Sequence, residues 1–176
     1  TKNYNNLFIS ILSDVKKMDK ITADNIFNKL IAFKDISNKF PTDEEFEQAF
    51  HSKYLINKYS REVLYCIALK NLNNGLVDNP KLAFYGFTVE HMMPKKWINH
   101  WQLPEEVTED YRKQKLLSLG NLTLIKGRLN SSLRDASWNK KRKKLRQYST
   151  LKQTVDYLDI EDWNETEIEQ RANTLY

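Results

Sequence analysis

The sequence predicts a mainly α-helical protein in which helices enclose one small unit of strand, loop, strand and helix. Two observations predict this class. Apolar residues recur at three-to-four spacing over most of the chain, which is typical of half-buried helices. The exceptions are two short segments rich in Val, Thr, Leu and Ile, which favour β-strands.

Helix signals fill the first third of the chain. The first predicted helix repeats apolar residues at this spacing, namely Tyr4, Leu7, Phe8, Ile11, Leu12 and Val15. A second helix is expected to begin at Thr22. A third begins just after Pro41, where Thr42 can cap the free amides and Glu45 can reach back to it, the capping-box arrangement.

A longer helix is expected from Asn57 to about Leu72, ended by Asn73-Asn74-Gly75. Five of its residues are expected to face the core: Tyr59, Val63, Leu64, Ile67 and Ala68. Cys66 lies within it and is expected to be a small buried hydrophobe. As the single cysteine, it excludes an internal disulfide and a Cys-cluster zinc site, and it favours a reducing, cytoplasmic setting.

The pattern changes after Gly86. Phe87–Glu90 has strand character and runs directly into His91. An amphipathic segment reaches about Leu117, and Asn121–Ile125 suits a second strand.

The later elements follow from local signals. Lys126-Gly127-Arg128 is expected to form a turn. A helix to about Tyr148 can begin at Asp135 or Ser137, and Asn164 is expected to start the last helix.

Length and composition exclude several classes of protein. The 176 residues fit one domain, and a hydrophobic content of 40% argues against disorder. No apolar run reaches the roughly 18 to 20 residues of a membrane span, and no signal-peptide pattern opens the chain. Because it begins at Thr1 and not at Met, we expect a fragment of a longer protein.

Positive charge is concentrated in the middle of the sequence. The formal net charge is +5 overall, but +2 over residues 1–87, +8 over 88–149 and −5 over 150–176. Within 111–149, twelve basic residues face the single acid Asp135. Such a concentration is typical of a site for a polyanion, although a solvated helix face gives the same pattern.

The strongest candidate for chemistry is the pair Glu90-His91 at the end of the first strand. A carboxylate is a hard oxygen ligand for Mg²⁺ or Mn²⁺. A neutral imidazole beside it can take a proton from water near pH 7. Asn121 borders the second strand, where asparagine is disfavoured unless it has a hydrogen-bonding task. A basic helix follows at Trp138–Lys144, where cations could hold phosphates.

Taken together, these segments resemble the HNH nucleases (His-Me finger, ββα-metal). More narrowly, they are similar to the C-terminal nuclease domain of GmrSD-type modification-dependent restriction enzymes and related phage-defence proteins. The matching segments are Thr88–Pro94, Leu119–Leu124, Leu129–Ser131, and Trp138 with Lys141. The likeness also includes Phe40–Phe46, the helix around Arg61, and Trp163 with Ile168 and Arg171.

The resemblance implies a role for each matched residue. His91 is the general base, and Glu90 is a metal ligand. Asn121 pins the loop that bears the base, Asn130 completes the metal site, and Lys141 contacts phosphate. Further DNA contacts are expected from other nearby cations, namely Lys140, Arg128, Arg134 and Lys144.

The resemblance also implies an architecture and partners. The fold is mainly α, a helical bundle that encloses a ββα-metal core with a short two-stranded antiparallel hairpin. Residues 1–87 form a helical scaffold, 88–149 the nuclease core and 150–176 a helical extension. The implied cofactor is one divalent cation, Mg²⁺ or Mn²⁺, without structural zinc.

The expected substrate is double-stranded DNA, modified phage DNA included, cut or nicked in a restriction or defence system. An N-terminal ParB-like NTPase domain is expected in the full-length protein. Two alternatives stay open at this point: a DNA-binding module without catalysis, and a protein-interaction domain whose basic stretch serves solubility only.

Overall fold

The computed structural model describes residues 2–33, 39–73 and 82–176. These residues are mainly helical and form one two-stranded antiparallel sheet, as the sequence predicts. The chain divides into two compact units, Thr1–Phe46 and Glu47–Tyr176. The predicted divisions after residues 87 and 149 stay predictions. Every helix in the described ranges is too short or too polar to cross a bilayer.

The first unit contains α1 (Lys2–Lys16), α2 (Ala23–Ile31) and the start of α3 (Asp43–Ser52). The Thr22 hydroxyl caps α2 by accepting a hydrogen bond from the Asn25 backbone N–H at 3.2 Å. The capping box before α3 is confirmed. The Glu45 N–H donates to Thr42 Oγ1 at 3.2 Å, and the Thr42 N–H donates to the Glu45 carboxylate at 2.9 Å.

The second unit contains α4 (Asn57–Asn73), β1 (Phe87–His91), α5 (Glu109–Leu117), β2 (Leu122–Lys126), α6 (Gly127–Leu133), α7 (Trp138–Tyr148), α8 (Lys152–Val155) and α9 (Glu165–Leu175). In the sheet, Phe87 lies opposite Lys126 and His91 lies opposite Leu122. The end of β1 is therefore beside the start of β2. The strands contribute to two apolar clusters, one that includes Ile125 and one that includes Phe87.

Two predictions about α4 are wrong. Tyr59 and Cys66 were both expected to be buried, and both are exposed. Successive helical residues are rotated by about 100°, which places Tyr59 and Cys66 on the face opposite the buried Leu64. The helix itself is confirmed, whereas the Asn74-Gly75 part of its predicted stop lies outside the described residues.

The predicted turn at residues 126–128 is also wrong, because β2 passes directly into α6 at Gly127. Leu129 and Leu133 are both buried, so tertiary packing stabilises α6. The local sequence of this segment does not predict the helix. The short helix α8 was not predicted. The start of the last helix is confirmed, since the Asn164 side chain accepts a hydrogen bond from the Glu167 N–H at 3.1 Å.

A buried arginine fixes the backbone that leads into β2. Arg171, on α9, is completely buried. Its guanidinium donates hydrogen bonds to the carbonyls of Leu119 (3.2 Å), Gly120 (2.7 Å) and Leu122 (2.9 Å), and to that of Gln153 at 2.8 Å. Burial lowers the pKa of Arg171 to about 10, so the group is still a cation at neutral pH.

The turn at residues 119–121, which leads into β2, also packs closely against α9. A Cβ on Gly120 would lie 2.2 Å from the backbone oxygen of Ile168 on α9. Only glycine allows this approach. The turn at residues 119–121 is thus held by α9 through both hydrogen bonds and van der Waals contact.

Replacing Arg171 by Met should lower the free energy of unfolding by at least about 3 kcal/mol. The reason is that four buried carbonyls lose their donor, and an unsatisfied buried group costs about 1 to 3 kcal/mol. Urea unfolding followed by circular dichroism measures this. Arg146→Met is the matched control, because Arg146 is exposed and pairs with the exposed Asp159, so its loss should cost about 1 kcal/mol or less. Equal losses for the two variants would contradict the assigned role of Arg171.

Candidate active site

A cavity of about 460 Å³ lies at the end of β1. It is lined by Glu90, His91, Pro94, Lys95, Lys96, Arg134, Asp135 and Lys141. The predicted base, the predicted acidic ligand and the predicted basic helix position therefore meet in one place. Four of the lining residues are Lys or Arg and two are Glu or Asp, so the lining has a formal excess of positive charge that can attract an anionic substrate.

Asn121 holds the loop that follows His91. Its side-chain oxygen accepts a hydrogen bond from the Met93 N–H, and its amide nitrogen donates to the Met93 carbonyl, both at 2.8 Å. The same amide donates to the Leu116 carbonyl at 3.0 Å, and the Trp163 indole N–H donates to the Asn121 oxygen at 3.1 Å. This fully bonded, buried side chain fixes the path of the chain beyond β1.

Glu90 and Lys141, which both line the cavity, form a buried ion pair. Glu90 is 5% exposed and Lys141 is completely buried. Lys141 Nζ lies 2.5 Å from Glu90 Oε1 and 2.7 Å from the backbone oxygen of His91. Burial raises the pKa of Glu90 and lowers the pKa of Lys141, while their mutual attraction opposes both changes.

The ion pair changes what Lys141 can do. Its ammonium holds α7 against the end of β1 and is not presented to solvent. The phosphate contact expected from the resemblance stays a prediction.

The imidazole of His91 is neutral at physiological pH. Burial lowers its pKa to about 4, and the nearby charges of Lys95 and Lys141 act in the same direction. A neutral imidazole is able to accept a proton. The other two histidines lie elsewhere: His51 pairs with Glu169, and His100 is exposed and lines a different cavity.

Asn130, on α6, bonds to β1 but lines another cavity. Its amide nitrogen donates to the Val89 carbonyl at 2.9 Å and to Thr88 Oγ1 at 3.0 Å. These bonds anchor α6 to β1 and fix the orientation of the amide. The structure does not gather Asn130 and Glu90 around the same cavity.

The other predicted DNA contacts are exposed side chains. Arg128, Arg134, Lys140 and Lys144 are all accessible to solvent. Arg134 also lines the cavity and has a φ of 43°, the one positive value among the described non-glycine residues. Such a conformation costs about 1 to 3 kcal/mol and is often found at functional sites.

The available donors fit a divalent cation in kind. The carboxylate of Glu90 and the amide oxygen of Asn130 are hard ligands of the type that Mg²⁺ prefers. The described ranges contain no group of three or more His, Cys, Asp or Glu side chains placed to hold a metal. Lys141 also competes as a cation for Glu90. The described residues therefore form no ready-made metal site, and the divalent-cation site stays a prediction.

Sequence reasoning missed two contacts that build the site. Lys141 is one of five consecutive cations, and only its position one turn after Trp138 signals that it faces inward. The bond from Asn99 to Asp135, at 3.0 Å, connects the loop after β1 to the start of α7. Nothing in the local sequence around Asn99 predicts it.

One comparison with known proteins gives a match. A family model described as GmrSD restriction endonucleases, C-terminal domain, matches residues 40–176. The match includes both strands, α6 and α7, and so all the residues that line the cavity. The curated proteins and the solved structures give no match.

Replacing Lys141 by Met should lower the free energy of unfolding by about 3 to 5 kcal/mol, because Glu90 is then buried without a partner. Adding Glu90→Leu should recover much of this loss, since both charges are removed together. Urea unfolding of the two single variants and the double variant measures the coupling.

The control for this cycle is Lys143→Met, which changes an exposed lysine two residues away. Its effect should stay within about 0.5 kcal/mol. Strictly additive losses for Lys141→Met and Glu90→Leu would show that the pair does not contribute as described.

Proposed function

We infer that this chain, which belongs to the family of GmrSD restriction endonuclease C-terminal domains, is a DNA nuclease of the HNH type with its active site at the end of β1. The observation that supports this most is the position of His91: a neutral imidazole lines a cavity with three exposed cations, beside a loop that Asn121 holds in place. A proton acceptor next to cations is the combination that phosphodiester hydrolysis requires.

In the proposed mechanism, His91 accepts a proton from the attacking water. Asn121 holds the loop that follows His91, and this keeps the imidazole in position. Arg134, Lys95 and Lys96, which line the cavity, stabilise the negative charge that develops on the phosphate. Lys141 fixes the backbone of His91 through its carbonyl.

A divalent cation belongs to this proposal, with Mg²⁺ or Mn²⁺ as the expected ion. Of the two predicted ligands, Glu90 lines the cavity with His91 and would hold the ion there, whereas Asn130 lines the neighbouring cavity and would have to turn toward it. When bound, the ion would supply Lewis-acid charge to the phosphate and the leaving oxygen. Because the Lys141 ammonium is paired with the Glu90 carboxylate, we expect the affinity for the metal to be low in the absence of DNA.

The proposed substrate is foreign double-stranded DNA, modified phage DNA included. The basic side chains on the solvent side of α6 and α7 would bind its backbone. A cytoplasmic location and an N-terminal ParB-like NTPase domain in the full-length protein are parts of the same proposal. Target selection could then depend on residues outside this chain.

One observation favours a second candidate, a DNA-binding module without catalysis. The Glu90 carboxylate, the predicted metal ligand, is already neutralised by Lys141. In a module of this kind, the ion pair would be purely structural. This second candidate function predicts that the wild-type chain binds DNA but leaves it intact with any divalent metal.

His91→Ala should abolish nicking of supercoiled plasmid while leaving DNA binding nearly unchanged. Loss of a general base typically costs about 10² to 10⁴ in rate. Single-turnover nicking, with binding measured separately by fluorescence anisotropy, checks this. His100→Ala, an exposed histidine outside the cavity, should nick at the wild-type rate. Wild-type nicking by His91→Ala would exclude His91 as the base.

A further inference from the structure

A second cavity lies along β1, about 350 Å³ in volume. It is lined by Asn57, Lys58, Arg61, Thr88, Val89 and Asn130. Two of these residues are cations, and none is an acid. The lining therefore has a net positive charge and several uncharged polar groups, which suits an anion with several acceptor oxygens.

Arg61 contributes a guanidinium to this second cavity. Its guanidinium lies over the ring of Phe84 at 4.4 Å from the centroid. Its Nε is buried and has no hydrogen-bond acceptor among the described residues. The same side chain lines the cavity, so its other N–H donors can meet an anion there.

The ring of Phe84 also orients the guanidinium. Stacking on an aromatic face leaves the planar edge of the group, with its N–H donors, free for other contacts. An arginine held in this way is suited to bidentate recognition of phosphate. Lys58 contacts an aromatic ring as well, with Nζ 5.7 Å from the centroid of Tyr59.

The two cavities border neighbouring parts of the same strand. The first cavity touches Glu90 and His91, and the second touches Thr88 and Val89. Two residues of β-strand span about 7 Å. One strand of DNA carries a phosphate for about every 3.4 Å of helix axis. A DNA strand along β1 could therefore place one phosphate at His91 and a nearby one at Arg61.

We propose that Arg61 and Lys58 of α4 form a phosphate-binding subsite that holds the DNA backbone beside the scissile phosphate. The subsite deepens the proposed nuclease function and rests on it. It assigns a DNA-binding task to the helical segment before the sheet. It also adds two cations to those of the first cavity, where the Lys141 ammonium is buried against Glu90.

The test measures binding of a 20-base-pair duplex by fluorescence anisotropy in EDTA, over a series of NaCl concentrations. Arg61→Gln and Lys58→Gln should each weaken binding several-fold. Each should also reduce the slope of log Kd against log salt by about 1, because one phosphate contact is lost. Lys152→Gln is the control: it removes the same charge from an exposed lysine in the acidic C-terminal section, paired there with Asp156, and should leave the slope unchanged.

The outcomes separate this inference from the function on which it rests. If the wild-type chain shows no salt-dependent DNA binding, the nuclease proposal and the subsite are both overturned. If the wild type binds and both glutamine variants match it in Kd and slope, only the subsite is overturned. Thermal melting of each variant is recorded alongside. If Arg61→Gln melts well below the wild type, the subsite is tested by the Kd and salt slope of Lys58→Gln alone, because Lys58 is exposed.

Discussion

The buried guanidinium of Arg171 is the contact on which the candidate site depends. It collects the carbonyls of the turn before β2, and Gly120 lets α9 approach that turn closely. The turn carries Asn121, whose amide bonds the backbone of Met93 and so fixes the loop after His91. A residue near the C-terminus thus positions, through two hydrogen-bonded steps, the imidazole that we propose as the catalytic base.

The basic side chains of residues 88–149 fall into two groups with different tasks. Lys141, Arg112 and Lys115 are buried and pair with Glu90, Glu165 and Glu169. Two of these acids belong to the C-terminal section, whose negative charge therefore stabilises the interior by pairing with the basic section. The cations left for a nucleic acid are the exposed ones around the cavity and on α6 and α7. A count of charge along the sequence overestimates the positive surface, because it cannot separate these groups.

Local chemistry made much of the fold predictable. The capping residues Thr42 and Asn164, the two strands and the long helix at Asn57 follow from signals within a few residues. The meeting of Glu90, His91 and Lys141 at one cavity was expected only from the resemblance to a known family. Features that depend on distant partners could not be predicted, such as the helix at Gly127, the positive φ of Arg134 and the stacking of the Arg61 guanidinium on Phe84.

The most direct test of the nuclease proposal is a cleavage assay on the wild-type chain. Supercoiled plasmid and DNA carrying modified cytosine are each incubated with the protein in Mg²⁺, Mn²⁺ or EDTA, and nicked and linear products are separated on a gel. We predict products of at least one of these DNAs with a divalent metal and none with EDTA. Salt-dependent binding of both DNAs, with no cleavage of either in any metal, would contradict the proposal.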